Sequence, residues 1–194
     1  MEISIDVVKQ LREATGLSVM QCRKALEEAG GNVETAEVIL RKRSSEAADK
    51  KSERTIGAGV VASYVHDKAI GAMVLLSSET DFVAKNPEFE MVAKELAMQV
   101  AATNPQYLSP DDIDEKAKDA AMAVFAEEVK DKPADMQEKI LAGKMESYFR
   151  DSVLLNQAYI KDESKTVKQL IDEASQKFGE KVQVSQFARF SARG

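Results

Sequence analysis

The sequence predicts an α+β fold: a small three-helix module followed by a three-stranded antiparallel sheet packed with helices. Apolar residues recur at helical spacing through residues 4–43. The period changes to two between Gly57 and Leu76, the mark of a hairpin. A second β-rich alternating run, Val182 to Ser191, stands apart near the C-terminus and supplies the third strand.

Residues 4–43 read as three short helices. Ser4 caps the first, Val7, Val8 and Leu11 share a face, and Thr15-Gly16 ends it. Ser18 and Gln21 have capping-box spacing, and Cys22, Ala25, Leu26 and Ala29 follow at i, i+3, i+4, i+7. Gly30-Gly31 supplies a left-handed stop, and Asn32 caps a third helix with Ala36, Ile39 and Leu40 inward. Helices this short are stable only when packed on one another, so residues 1–43 are expected to form one module. Residues 44–56 are polar, of mixed charge and without an apolar face, and read as a linker, helical in part at most.

Residues 57–194 are expected to form the core. Val60, Ala62, Tyr64 and His66 alternate along one strand and Ile70, Ala72, Val74 and Leu76 along the next, with Asp67-Lys68 as a tight turn: a hairpin over 58–77. Two strands alone are marginal, so the strand at 182–191 must join them. Helices are expected over about 87–103, 110–130, 133–149 and 167–178. Asn86-Pro87 starts the first, with Phe89, Val92, Ala93, Leu96, Val100 and Ala101 on its buried face. The second opens on Ser109-Pro110-Asp111-Asp112 and carries Ile113, Ala117, Ala120, Ala121, Val124 and Phe125 as its stripe. Pro133 opens the third, with Met136, Ile140 and Phe149. Thr166 and Gln169 are a capping box for the fourth, which turns Val167, Leu170, Ile171 and Ala174 inward and stops at Phe178-Gly179. Residues 151–163 look irregular.

The totals narrow the function. The 194 residues suffice for a real core in one or two domains, and 44% hydrophobic with 31% charged is a soluble globular composition. A net charge of -6 argues against nucleic-acid binding as the main task. The single cysteine allows no intramolecular disulfide, and no leader or membrane-length apolar run is visible, so a cytoplasmic location is expected. His66 is the only histidine, which excludes a histidine triad or a multi-histidine metal site. Cys22 lies on an inward helical stripe and reads as core. No phosphate-cradling glycine motif occurs, and the acid pairs Asp111-Asp112 and Glu127-Glu128 read as solvated helix faces. No catalytic residue, cofactor or metal is expected; what remains is surface for contact with another protein.

The most distinctive stretch is Glu79 to Pro87, between the hairpin and the helix that follows it. Asp81 and Phe82 fall in this connection, where a large aromatic beside a carboxylate is a poor core element. Two readings stand at this point: Phe82 folds back on the next helix with Asp81 as a capping acid, or the pair faces a partner.

Thr80-Asp81-Phe82-Val83-Ala84-Lys85-Asn86 resembles a signature of the bacterial elongation factor Ts family, the nucleotide-exchange factors of elongation factor Tu. Leu11-Arg12-Glu13-Ala14-Thr15-Gly16, then Met20-Gln21-Cys22-Arg23-Lys24-Ala25-Leu26, then Gly31-Asn32 and Ala36 resemble another signature of the family. Ser164-Lys165-Thr166-Val167-Lys168-Gln169-Leu170 resembles a third, and the three stand in family order over nearly the whole chain.

The resemblance implies a module like those of ubiquitin-associated domains at the N-terminus. It also implies guanine-nucleotide exchange on elongation factor Tu, with no chemistry of the factor's own. Asp81 and Phe82 would wedge beside the partner's Mg2+ site, with Thr80 and Val83 shaping the loop. Arg12, Val19 and Met20 would grip the partner's GTPase domain, and Tyr64 and His66 would face a second partner domain. The family often has methionine where this chain has Val19. With one hairpin and one closing strand, the chain looks like the short form, which works as a homodimer. The apolar closing strand (Val182, Val184, Phe187, Phe190) suits edge-to-edge pairing of two copies. The competing reading is an adaptor that binds partners through its N-terminal module without acting on nucleotide.

Overall fold

The computed structural model describes residues 3–131 and 133–192. Residues 1, 2, 193 and 194, at the outer ends of the expected units, lie outside the described residues, as does residue 132.

The N-terminal helices follow their caps. α1 (Ile5–Thr15) starts where the Ser4 side chain accepts from Val7 N–H and ends at Gly16, whose φ of 67° is left-handed. α2 (Val19–Glu28) opens on the Ser18–Gln21 capping box, and α3 (Val33–Asp49) begins where Asn32 accepts from Thr35 N–H. Leu11, Leu17, Cys22, Ala25, Leu26, Ala36 and Leu40 pack into one small core.

α3 runs further than the sequence suggests, through Ser44 and on to Asp49, into the stretch read as linker. Its serines face another element instead of solvent, while Glu46 and Asp49 stay exposed. Ser44 is buried, Ser45 Oγ donates to Asp172 Oδ2 at 2.8 Å, and just past the helix end Lys51 Nζ donates to Ser175 O at 2.9 Å. Both acceptors sit on α8 (Val167–Phe178), against which α3 packs.

β1 (Ala58–His66) and β2 (Ile70–Ser78) pair antiparallel, with His66 opposite Ile70. Asp67 and Lys68, at φ 49° and 58°, form the two-residue turn with positive φ at both centres that matches strand twist. β5 (Gln183–Ser191) adds to the other side of β2, so the sheet order is β1-β2-β5 and the fold is α+β as expected. α5 (Pro87–Thr103) lies across the inner face of the sheet. Phe89, Ala93, Leu96 and Val100 of α5 meet Ala62, Ala72, Val74, Leu76 and Val184 there, and Val167, Ile171 and Ala174 of α8 complete the core. The Phe89 and Phe178 rings meet edge to face at 5.5 Å, tying α5 to α8. Val182, Val184 and Phe187 of the closing segment are taken up by this core, and Phe190 alone of the four stands exposed.

The middle of the chain departs most from expectation. A 3-10 turn at Pro110–Asp112 precedes α6 (Glu115–Val129), which pairs with α7 (Ala134–Ser152) as a helical hairpin. Because α6 packs chiefly on α7, only a narrow stripe is covered, where Phe125 and Tyr148 meet at 5.7 Å. Val124 and Met136, expected inward, are exposed. Residues 151–163 are not irregular: they complete α7, form a 3-10 turn at Leu154–Asn156 and enter a small antiparallel ribbon of β3 (Ala158–Tyr159) and β4 (Asp162–Thr166).

Candidate functional site

Between β2 and α5 the chain does not run as a loop. Residues Asp81–Ala84 make a single helical turn, α4, with Thr80 as its N-cap. The turn separates its side chains sharply. Val83 points inward and is buried, while Phe82 points outward with 82% of its surface exposed. Phe82 therefore does not fold back onto α5, and the first of the two sequence readings fails. An exposed phenylalanine on a one-turn helix costs solvation without any return within the chain.

The turn stands on a hydrogen-bonded base built from three distant segments. Glu79 N–H and Thr80 N–H donate to Glu180 Oε2 at 3.1 and 3.0 Å, and the Thr80 hydroxyl donates to Glu180 Oε1 at 2.5 Å. In the other direction Glu79 Oε1 accepts from Lys181 N–H at 2.5 Å and from Arg54 Nη1 at 3.1 Å. Lys181 Nζ caps the third segment by donating to Ser52 O at 2.6 Å and Arg54 O at 3.1 Å. Gly57 passes so close that a Cβ there would lie 2.8 Å from Glu79 O, which is why this position has no side chain. These bonds favour ionised Glu79, whose carboxyl is held below the usual range, first by the Lys181 N–H and then by Arg54.

Asp81 faces solvent beside Phe82, and Lys85 Nζ donates to its Oδ2 at 2.6 Å one helical turn on. That partner lowers its carboxyl pKa, so Asp81 carries full negative charge at neutral pH.

The other expected contact residues are likewise on the surface. Arg12 is exposed near the end of α1, and Val19 and Met20 are exposed in the first turn of α2. Met20 is 69% exposed. Tyr64 and His66 are neighbours along β1, with the Tyr64 hydroxyl 3.1 Å from His66 Nδ1 and the rings stacked. Together with Ile70, Met98, Ala101 and Ala102 they line a shallow recess at the end of the sheet. These residues form three patches, on α1–α2, on α4 and on β1.

Sequence reasoning missed Glu180 and Lys181, which hold the base of α4 from 100 and 102 positions away. The one available signal is an acid directly after the Gly179 helix stop, level with the end of the strand that β5 must join. Among the described residues no cluster of His, Cys, Asp and Glu fits a metal ion, and no helix is long and apolar enough to cross a membrane.

Comparison with known proteins meets this geometry with a consistent answer. The family model described as elongation factor TS matches residues 47–193. Elongation factor Ts of Thermotoga petrophila is 44% identical over 191 residues, which cover 98% of this chain and 96% of that protein. Elongation factor Ts of Thermodesulfovibrio yellowstonii is also 44% identical over 191 residues, with the same coverage. The chloroplastic polyprotein of EF-Ts from Oryza sativa subsp. indica is 42% identical over 192 residues, 97% of this chain and 17% of that protein. Matching signatures, a shared family model and near-complete alignment agree: the chain belongs to the elongation factor Ts family.

Proposed function

We propose that the chain is a guanine-nucleotide exchange factor that binds the GDP form of elongation factor Tu and promotes GDP release. The observation that carries this reading is Phe82, bare to solvent on a turn whose neighbours are all tied down. A phenylalanine held in that state is an anchor for a pocket on another molecule. Asp81 beside it brings a fixed negative charge to that contact. A P-loop GTPase holds its nucleotide through backbone amides, a lysine and a Mg2+ ion. Thr80, Asp81, Phe82 and Val83 act together: the ring enters between elements beside the Mg2+ site, the shift dislodges the ion, and the diphosphate loses several charge-assisted contacts at once. A thousandfold loss of nucleotide affinity requires only about 4 kcal/mol.

Arg12, Val19 and Met20 grip the GTPase domain, and Tyr64 with His66 meets a second domain of the partner. The factor and GDP weaken each other's binding reciprocally, so no catalytic chemistry is required of this chain. The protein works in the cytoplasm without membrane or direct nucleic-acid contact.

The working form is a homodimer. Edge-to-edge pairing is less well supported than packing through the open face of the sheet. That face carries Val61, Val65, Met73, Leu75, Ala188 and Phe190, all exposed except Leu75. It bears no charged residue, so two copies meet without repulsion in an isologous contact.

The decisive assay is release of labelled GDP from elongation factor Tu. Wild type is expected to accelerate release and Phe82→Ala to lose most of the effect. If wild type binds the GTPase without accelerating release, the adaptor reading takes its place.

A further inference from the structure

We infer that Glu180 is the positioning residue of the Asp81–Phe82 turn: it sets the presentation of Phe82 without touching the partner. The inference rests on the exchange reading above for its functional half, and on the geometry alone for the other.

A four-residue helix has no stability of its own, since nucleation costs more than one turn returns. Phe82 also draws the turn toward collapse, because burying its ring is favourable. Two devices oppose this. Val83 anchors the inner side of the turn in the core. Glu180 fixes the outer side with three bonds from one carboxylate. It takes up Glu79 N–H and Thr80 N–H at the end of β2, two donors in front of the turn. Its other oxygen takes the Thr80 hydroxyl proton. The proton's direction is thereby fixed, which leaves an oxygen lone pair free for Val83 N–H, 3.5 Å away and the first capped donor of the turn. The N-cap of α4 thus depends on a carboxylate supplied from the far end of the chain. Bonds to an ionised acceptor are the stronger kind, suited to holding an exposed ring in place.

Two measurements separate the halves. Amide hydrogen exchange in the free protein reads the turn directly. Glu180→Ala is expected to speed exchange at Thr80 and Val83 by roughly tenfold or more, with amides in α2 and α5 unchanged. Glu180→Gln keeps an acceptor for the two amides but reverses the bond to the Thr80 hydroxyl, to which its amide now donates, and is expected to restore only part of the protection. Unchanged exchange in Glu180→Ala overturns the inference, whatever the protein does to GDP.

The second measurement is a double-mutant cycle on the maximal rate of GDP release from elongation factor Tu. Glu180→Ala is expected to lower that rate while the concentration for half-maximal effect moves less. Glu180→Ala added to Phe82→Ala is expected to cost nothing further, because its action passes through the ring. An additive loss would mean a general structural role and overturn the positioning role. Failure of wild type to accelerate release overturns the exchange reading, and the amide measurement still decides the clamp.

Discussion

Gln99 Nε2 donates to Gln157 Oε1 at 3.1 Å, a bond between two buried side chains on α5 and on the segment after α7. The same side chain donates to Ala158 O at 3.1 Å and accepts Ile160 N–H at 2.9 Å, so it holds β3 and the turn that leads to β4. Thr103 adds a hydroxyl donated to Gln157 Oε1 at 2.7 Å. A glutamine on an otherwise apolar helix face is here the attachment point of a ribbon too short to hold itself.

Replacing Gln99 with leucine keeps the volume but takes a partner from the buried Gln157 side chain and from the part-buried Ala158 carbonyl and Ile160 amide. A loss of about 2–4 kcal/mol in urea unfolding is expected. Faster amide exchange at Ile160 would show the ribbon detaching first.

Phe82→Ala is expected to separate stability from function. The ring makes little contact with its own chain, so the unfolding free energy should change by less than about 0.5 kcal/mol. Affinity for elongation factor Tu should fall by about 2 kcal/mol or more, the loss of a central aromatic anchor. Calorimetry of both properties on one sample checks the pair of outcomes.

Acid should weaken the base of α4. Glu79 has its pKa depressed in the fold, so its contribution is fully present above its ordinary value of 4.5 and is lost as pH falls through the lower folded value. Asp81 and Asp162, also depressed, from an ordinary 3.8, act in the same direction. The melting temperature is expected to be flat in this respect above about pH 5 and to decline below pH 4. Glu79→Gln should make that acid limb shallower at the cost of a lower plateau.

The open sheet face gives a simple test of assembly. Phe190 is 71% exposed and stands across from Gly71, with Met73 opposite Ala188 two pairs further along. Phe190→Asp is expected to convert a light-scattering mass of two chains to that of one, with the far-ultraviolet spectrum unchanged. A wild-type mass of one chain would remove the dimer from the account.

Much of this molecule is legible in its residues. Ser4, Ser18 with Gln21, Asn32, Asn86 and Thr166 with Gln169 each announce a helix start by local chemistry, and each caps one. The hairpin and the closing strand follow from alternation. What escaped is what depends on distant partners. Ser44 and Ser45 look like linker until α8 is beside them. The Asp162–Thr166 strand is polar throughout and reads as loop without Ala158 and Tyr159 paired beside it. Asp81 and Phe82 stand out as an aromatic beside a carboxylate between two elements and sit in a signature, whereas Glu180 has no periodicity and no motif, only a place after a glycine stop. Val124 misled because helical spacing marks a face without saying how wide its neighbour is.

The base of α4 also has a timetable. A ribosome delivers Thr80, just ahead of the Asp81–Phe82 pair, 100 residues before the carboxylate that steadies it, and β5 arrives later still. Throughout that interval the nascent chain exposes an unsupported ring and an open sheet edge. The α4 turn gains its clamp only after Glu180 clears the exit tunnel, so a fragment that stops short of that residue lacks it.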